Sequence, residues 1–187
     1  MQKNLMATKK ALIRYWYDSG MIRDENIIKA FYEVQREAFV LPQFKKYSYE
    51  DRPLPLLRGK TISQPSTIAI MTQALELEEG QKVLEVGTGS GYHAALIAKI
   101  VGHSGKVFTL EIIPELVAFA KKNLSNLGIK NVCVLEGDGS QGLAEEAPFD
   151  RIIVTAACAH IPKPLLDQLK IGGILVAPVG DLEEQKM

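Results

Sequence analysis

Cysteine is scarce in this chain of 187 residues: Cys133 and Cys158 stand far apart with no CxxC spacing. That excludes a disulfide framework and a cysteine zinc site. Their apolar neighbours predict two buried thiols. Histidine is equally sparse. His93, His103 and His160 share no metal-ligand spacing, so no metal is expected. No apolar run approaches the roughly 18 residues of a membrane span. The lysines of Met1–Lys10 are not followed by the apolar stretch of a signal peptide. A cytoplasmic protein with no membrane partner is the expectation. An excess of one charge is also missing: 22 Lys plus Arg balance 22 Asp plus Glu. General electrostatic binding of nucleic acid needs a basic excess, so no nucleic-acid partner is expected. Repeats and low-complexity stretches are absent. What remains is ordinary globular composition, 47% hydrophobic and 24% charged, at a length that supports one core and a small appendage.

Helical spacing of Leu5, Leu12, Tyr15 and Trp16 predicts a helix over 5–18 that Gly20 can end. Asp24 is a candidate N-cap for a second helix over 25–37, with Ile27, Ile28, Phe31, Val34 and Ala38 following on one face. Tyr47–Gly59 reads as an irregular crossing segment. A third helix starts near Pro65, continues through Ile68, Met71, Ala74, Leu75 and Glu78, and is closed by Gly80. Strands and helices then alternate. Strands are expected at Lys82–Val86, Lys106–Glu111, Asn131–Glu136, Arg151–Thr155 and Gly173–Val179. Helices are expected at Gly91–Val101, Pro114–Leu127 and Pro162–Lys170. The strands are continuous Val/Ile/Leu runs, as parallel strands covered on both faces require. The fold class is therefore α/β: a doubly wound, mostly parallel, Rossmann-like sheet. Residues 1–60 form a helical N-terminal portion packed on a core of residues 61–187.

Between the first strand of that core and its helix lies Val83-Leu-Glu-Val-Gly-Thr-Gly-Ser-Gly-Tyr92. Glycines at such a turn let a ligand approach the backbone. The spacing is GxGxG, not the GxGxxG of a dinucleotide pyrophosphate site, which ranks a nicotinamide oxidoreductase low. Glu85, inside the strand, suits an amine better than a phosphate. Glu111 ends the second strand, where an acid can accept both ribose hydroxyls. Asp138 follows the third strand, where it can accept from an adenine amine. Taken singly, Glu111 is also readable as a solvated strand end and Asp138 as an Asp-Gly turn. Together they mark the carboxyl ends of successive parallel strands, where such sheets bind ligands. The ligand so described is an adenosine without phosphates, and S-adenosylmethionine fits.

Val83–Tyr92, Leu110–Leu116, Glu136–Gly139 and Phe149–Ala157 resemble the protein-L-isoaspartate (D-aspartate) O-methyltransferases, a family of class I S-adenosylmethionine-dependent methyltransferases. Gly59-Lys-Thr-Ile-Ser-Gln-Pro-Ser66 is similar to the family's substrate-side motif, and Ile161–Leu169 follows its pattern too. The resemblance spans roughly residues 25–180. It implies protein repair by methyl transfer to the free α-carboxylate of L-isoaspartyl residues in damaged proteins and peptides. It also implies S-adenosylmethionine as cofactor, S-adenosylhomocysteine as product, and no metal. Ser63 matches the family's assigned active-site serine, within a substrate-binding segment of Thr61, Ile62, Ser63, Gln64 and Pro65. Without the family, Ser63 is as readily a helix-capping hydroxyl ahead of Pro65. The cofactor is implied to contact Glu85, Gly87, Thr88, Gly89, Ser90, Gly91, Glu111, Ile112, Asp138 and Gly139. A helix N-terminus near Ser63 and Gln64 can help grip the substrate carboxylate. His93 can line the cofactor pocket and His160 the substrate mouth, although packed or surface roles rank higher for both.

Family members continue through further strands, and Gly180–Met187 reads as the start of the connection to them. A chain cut short there would expose Gly173–Val179 as an apolar edge, open to self-association. Two other readings stand beside the main one. One is an inactive cofactor-binding module. The other is a methyltransferase of a small molecule or RNA, although no motif for nucleophile activation or base stacking is visible.

Overall fold

Runs of Val, Ile and Leu become five parallel strands, the inner three largely buried and the two edge strands partly open. The computed structural model describes residues 2–180, 185 and 186. The sheet strands are β3 (Lys82–Val86), β4 (Lys106–Glu111), β5 (Val132–Glu136), β6 (Phe149–Val154) and β7 (Leu169–Val176). They lie in the order β5-β4-β3-β6-β7, every neighbour parallel. The order reverses at β3, so a crevice opens at the carboxyl ends of the strands around β3. The doubly wound α/β expectation holds. Helices α4 (Tyr92–Val101), α5 (Pro114–Asn126) and α6 (Lys163–Asp167) connect the strands, whereas two 3-10 turns, Gly139–Gln141 and Ala144–Glu146, join β5 to β6.

Period-two alternation decides what β3 presents to each face. Val83 joins Met71, Leu75, Ala94, Ile97, Val107 and Ile153 on one side. Leu84 joins Phe108, Phe149, Ile152 and Leu165 on the other. Ahead of the sheet lie α1 (Gln2–Asp18), α2 (Glu25–Glu33), a short antiparallel pair β1 (Leu54–Pro55) and β2 (Thr61–Ile62), and α3 (Pro65–Ala74). These elements do not form a separate core. Trp16, Ile27, Phe31, Leu54 and Ile62 share one cluster with Tyr92 and Leu96 of α4 and Leu116 and Leu124 of α5.

Four predicted elements need their boundaries corrected. The helix predicted over 25–37 stops at Glu33. Asp24 caps its start as expected, accepting from the Asn26 amide at 2.8 Å. At its end, Lys9 Nζ donates to the carbonyls of Tyr32 (2.8 Å) and Val34 (3.4 Å), and Val34 turns extended. Arg36 is thereby freed to point inward. The third helix ends at Ala74, four residues short of Glu78, because Glu76 takes a positive φ and Arg151 bonds the carbonyls of Leu75 and Glu76. Near the end of the chain, the helix expected to reach Lys170 stops at Asp167. β7 begins at Leu169, where Phe149 on β6 pairs with it, and ends at Val176. Val179 belongs instead to β8 (Val179–Gly180), paired with β9 (Gln185–Lys186).

The cysteines also differ from expectation. Both are free and half-buried, because Cys133 lies on the edge strand β5 and Cys158 on the loop after β6.

Phe31 is 3% exposed and meets Trp16 edge-on at 4.9 Å. Phe31→Ala is expected to destabilise the fold by about 3–5 kcal/mol. Urea unfolding followed by fluorescence of Trp16, the one tryptophan, measures this.

Candidate active site

Glu85 sits at the centre of the site because β3 is the central strand. Its neighbour in register on β4 is Thr109 and on β6 is Ile153. It is fully buried. Thr109 Oγ1 donates to Glu85 Oε2, and Thr88 of the glycine loop donates in turn to Thr109 at 2.7 Å. Glu85 Oε1 has no hydrogen-bond partner among the described residues. Burial pushes the Glu85 carboxyl up to about 8, against the pull of the Thr109 hydroxyl. An unpartnered buried acceptor on a residue that lines a cavity fits a ligand donor, and a cation fits it best.

The cavity is about 560 Å³, a volume typical of a small-molecule site. Its floor is the glycine loop. Gly87 holds φ +98, and a Cβ there would stand 2.4 Å from Thr155 Oγ1. The Thr155 hydroxyl also donates to the Gly87 carbonyl at 2.6 Å. Glu111 ends β4 and is buried, with Oε2 accepting from the Gly89 amide (2.9 Å) and Oε1 from the Ile113 amide (3.1 Å). Each oxygen keeps a second lone pair. Ile112, 67% exposed, forms an apolar wall beside it. Asp138 is exposed and accepts from the Ser140 amide at 3.0 Å; that bond and the Ser140 hydroxyl hold its carboxyl below the usual range. Gly139 admits no side chain, since a Cβ would lie 2.4 Å from Val86 Cγ1.

Opposite the glycine loop the cavity is lined by Thr61, Ile62 and Ser63. The Ser63 carbonyl is held from behind by Arg36 Nη1 at 3.0 Å, while Arg36 Nε bonds the Ser48 carbonyl at 2.7 Å. Arg36 is fully buried and lies over the Tyr92 ring, and burial lowers its guanidinium to about 10. Ser63 does not cap α3: the N-cap is Gln64, without a side-chain bond. Capping comes from Asp51, which accepts from the Ser66 amide (2.9 Å), the Ser66 hydroxyl (2.7 Å) and Gln64 Nε2 (3.1 Å). That corrects the expectation of free first-turn amides gripping an anion. An acid already occupies the Ser66 amide. Ser63 Oγ makes no hydrogen bond among the described residues and is not among the sealed, unpartnered atoms, so it is open to the cavity.

The structure thus brings together Thr61, Ile62, Ser63, Glu85, Gly87, Thr88, Gly89, Ser90, Glu111, Ile112, Asp138 and Gly139 around one cavity. Gln64, Pro65 and Gly91 lie outside its lining. Gln64 turns to Asp51, Pro65 starts α3, and Gly91 packs against Ala120 and Leu124. His93 lines the cavity, whereas His160 and His103 are exposed and outside it. Sequence reasoning missed Thr109 and Thr155, legible only once strand register is known, and Arg36, hidden inside an overlong helix. It also missed Lys60, the one lysine or arginine among the lining residues. No cluster of metal-ligating side chains occurs among the described residues.

Residues 7–187 match the family model for protein-L-isoaspartate(D-aspartate) O-methyltransferase. A protein-L-isoaspartate O-methyltransferase of Staphylothermus marinus is 49% identical, with 100% of this chain and 86% of that protein covered. Among solved structures, a protein-L-isoaspartate O-methyltransferase superposes with TM-score 0.82 at 35% identity. The match covers 91% of this chain and 55% of that one. Another, from Plasmodium falciparum in complex with S-adenosyl-L-homocysteine, gives TM-score 0.82 at 27% identity, covering 94% of this chain and 86% of that one.

The raised Glu85 carboxyl has a measurable consequence. The folded chain holds this proton more tightly than the unfolded chain does. Its stabilisation is therefore full below the ordinary 4.5 and is lost as pH rises through about 8. The melting temperature of the ligand-free protein is expected to fall across that window, and Glu85→Gln to flatten the fall in a thermal scan at each pH.

Proposed function

The chain belongs to the protein-L-isoaspartate(D-aspartate) O-methyltransferase family, and from that premise we propose how its own residues carry the reaction. The activity is methyl transfer from S-adenosylmethionine to the free α-carboxylate of L-isoaspartyl residues in proteins and peptides. The observation that carries the reading is the sharing of one cavity by the Thr61–Ser63 segment and the glycine loop.

When bound, the cofactor supplies an electrophilic sulfonium methyl. Glu85 Oε1 takes the cofactor's α-ammonium, the spare lone pairs of Glu111 take the ribose hydroxyls, and Asp138 takes the adenine amine. Ile112 covers the adenine face. Ser63 Oγ holds the substrate carboxylate, with its backbone fixed by Arg36. The carboxylate is already ionised near neutral pH, so no side chain needs to remove a proton. Positioning and exclusion of water remain for the protein. Lys60, exposed at the cavity, offsets the charge of Glu111 and Asp138 toward an anionic substrate.

Residues 1–60 serve as a helical portion that holds the substrate segment, and 61–187 as the cofactor-binding core. Two free thiols suit a reducing cytoplasm, where damaged proteins are the substrates. Among the described residues β7 is an outer strand, with Ile171 fully exposed and Leu166 half-exposed. We extend the reading to self-association along that edge. Light scattering is expected to show mass rising with concentration, and a constant monomer mass counts against it.

The test is transfer of labelled methyl to an isoaspartyl peptide, with the aspartyl peptide as control. Base-labile label on the isoaspartyl peptide alone is expected. Cofactor binding without transfer overturns the catalytic reading. Ser63→Ala is expected to raise the peptide KM by roughly three- to tenfold, the loss of one hydrogen bond, with cofactor affinity unchanged. Lys60→Glu is expected to raise the same KM and reverse its salt dependence, because repulsion replaces attraction and salt screens both.

A further inference from the structure

His93 is the second residue of α4 and 7% exposed. Its Nε2 lies 2.9 Å from Thr72 Oγ1, and the same oxygen lies 2.7 Å from the Ile68 carbonyl. A carbonyl only accepts, and a hydroxyl has one proton. Both short contacts carry a proton in only one arrangement: Thr72 donates to Ile68, and His93 Nε2–H donates to Thr72. The other nitrogen, Nδ1, is then a bare lone pair. It makes no hydrogen bond among the described residues. The buried side-chain atoms without a partner are Arg36 Nη2, Glu85 Oε1 and Tyr92 OH, so Nδ1 is not sealed and opens to the cavity that the ring lines. Burial lowers the imidazole to about 4, which keeps the ring neutral and Nδ1 an acceptor at neutral pH.

We propose that His93 Nδ1 accepts a hydrogen bond from the α-ammonium of the cofactor's methionine tail. The inference rests on the cofactor reading above and adds a residue to it. Sheet order says which end of the ligand lies there. Glu111 and Asp138 stand at β4 and β5, on one side of β3, and face the nucleoside. His93 meets Thr72 of α3, whose Met71 and Leu75 pack with Ile153 of β6 and Val176 of β7, on the other side. α3 also follows directly on the Ser63 segment that the reacting methyl must face. The tail therefore runs toward α3. Glu85 and His93 both line this cavity and each has an acceptor without a donor among the described residues, Nδ1 open and Oε1 just beneath the surface; an ammonium carries three N–H groups for them.

The test is calorimetric binding of S-adenosylhomocysteine and of its desamino analogue, in which hydrogen replaces the α-ammonium, to wild type and to His93→Leu. The substitution is expected to weaken S-adenosylhomocysteine roughly tenfold or more, the loss of a charge-assisted bond, and to leave the analogue unchanged. Equal weakening of both ligands, or none, overturns the proposal. A rise in peptide KM at unchanged S-adenosylhomocysteine affinity also overturns it and gives the lone pair to the peptide. Failure of the wild type to bind S-adenosylhomocysteine sinks the cofactor reading instead. Should His93→Leu not fold, the ¹⁵N resonance of wild-type His93 Nδ1 decides. It is expected to shift with S-adenosylhomocysteine and not with the analogue, and no shift overturns the assignment.

Discussion

β3 is paired on both sides and covered on both faces, and the site follows from that constraint. A strand so placed can hold a polar side chain only at a cost, yet it carries Glu85. The cost is limited from within the sheet, since parallel register sets Thr109 beside Glu85 and the glycine loop sets Thr88 beside Thr109. That relay serves one carboxylate oxygen. The other oxygen has no hydrogen-bond partner among the described residues. The loop that follows β3 cannot relax around it, because Gly87 is pinned under Thr155 of the β6 end. Strand pairing thus fixes the acid, its hydroxyl relay and the loop in a single rigid unit.

The Thr61–Ser63 side of the cavity is held by different means. Thr61–Ser63 lies in a two-residue ladder and a helix start, which are weak structures alone. Three contacts from earlier in the chain hold it. Arg36 bonds the Ser63 carbonyl, Asp51 caps Ser66, and Trp16 Nε1 donates to Ser66 Oγ at 2.6 Å. A buried guanidinium is expensive unless carbonyls and a ring face surround it, as Ser48, Ser63 and Tyr92 do here. The helical N-terminal region therefore does more than cover the sheet. It places the serine segment against a loop from the opposite half of the fold.

The sheet was legible because it obeys local rules. Lys82–Val86 and Lys106–Glu111 coincide with β3 and β4, since continuous apolar runs between glycine turns have no other stable use. Helix ends were less legible. Glu33 and Ala74 terminate their helices through Lys9 and Arg151, contacts from far along the chain that periodicity does not contain. The same limit applied at the site. GxGxG and the acids after the strands could be placed from sequence, whereas Thr109 and Arg36 act through neighbours that only the tertiary fold supplies. Asp51 shows the limit in the other direction. A proline at a helix start reads as an open anion site until Asp51 is found on the Ser66 amide that follows it.

Charge gives the last link between architecture and chemistry. Glu85, Glu111 and Asp138 line the cavity against a single Lys60. Such a lining favours a cationic ligand and opposes an anionic one. On the proposed placement, a carboxylate approaching the Ser63 segment meets less repulsion once a cationic cofactor offsets Glu111 and Asp138, so occupancy of the cofactor side is expected to raise affinity on the substrate side. By linkage the reverse holds equally. Methyl transfer removes the positive charge from one ligand and the negative charge from the other. The α-ammonium proposed for Glu85 is retained, so what weakens is the attraction of the acidic lining for the sulfonium and of Lys60 for the carboxylate. On the proposed placement, the charges at the cavity mouth that gather the reactants therefore hold the neutralised products less tightly.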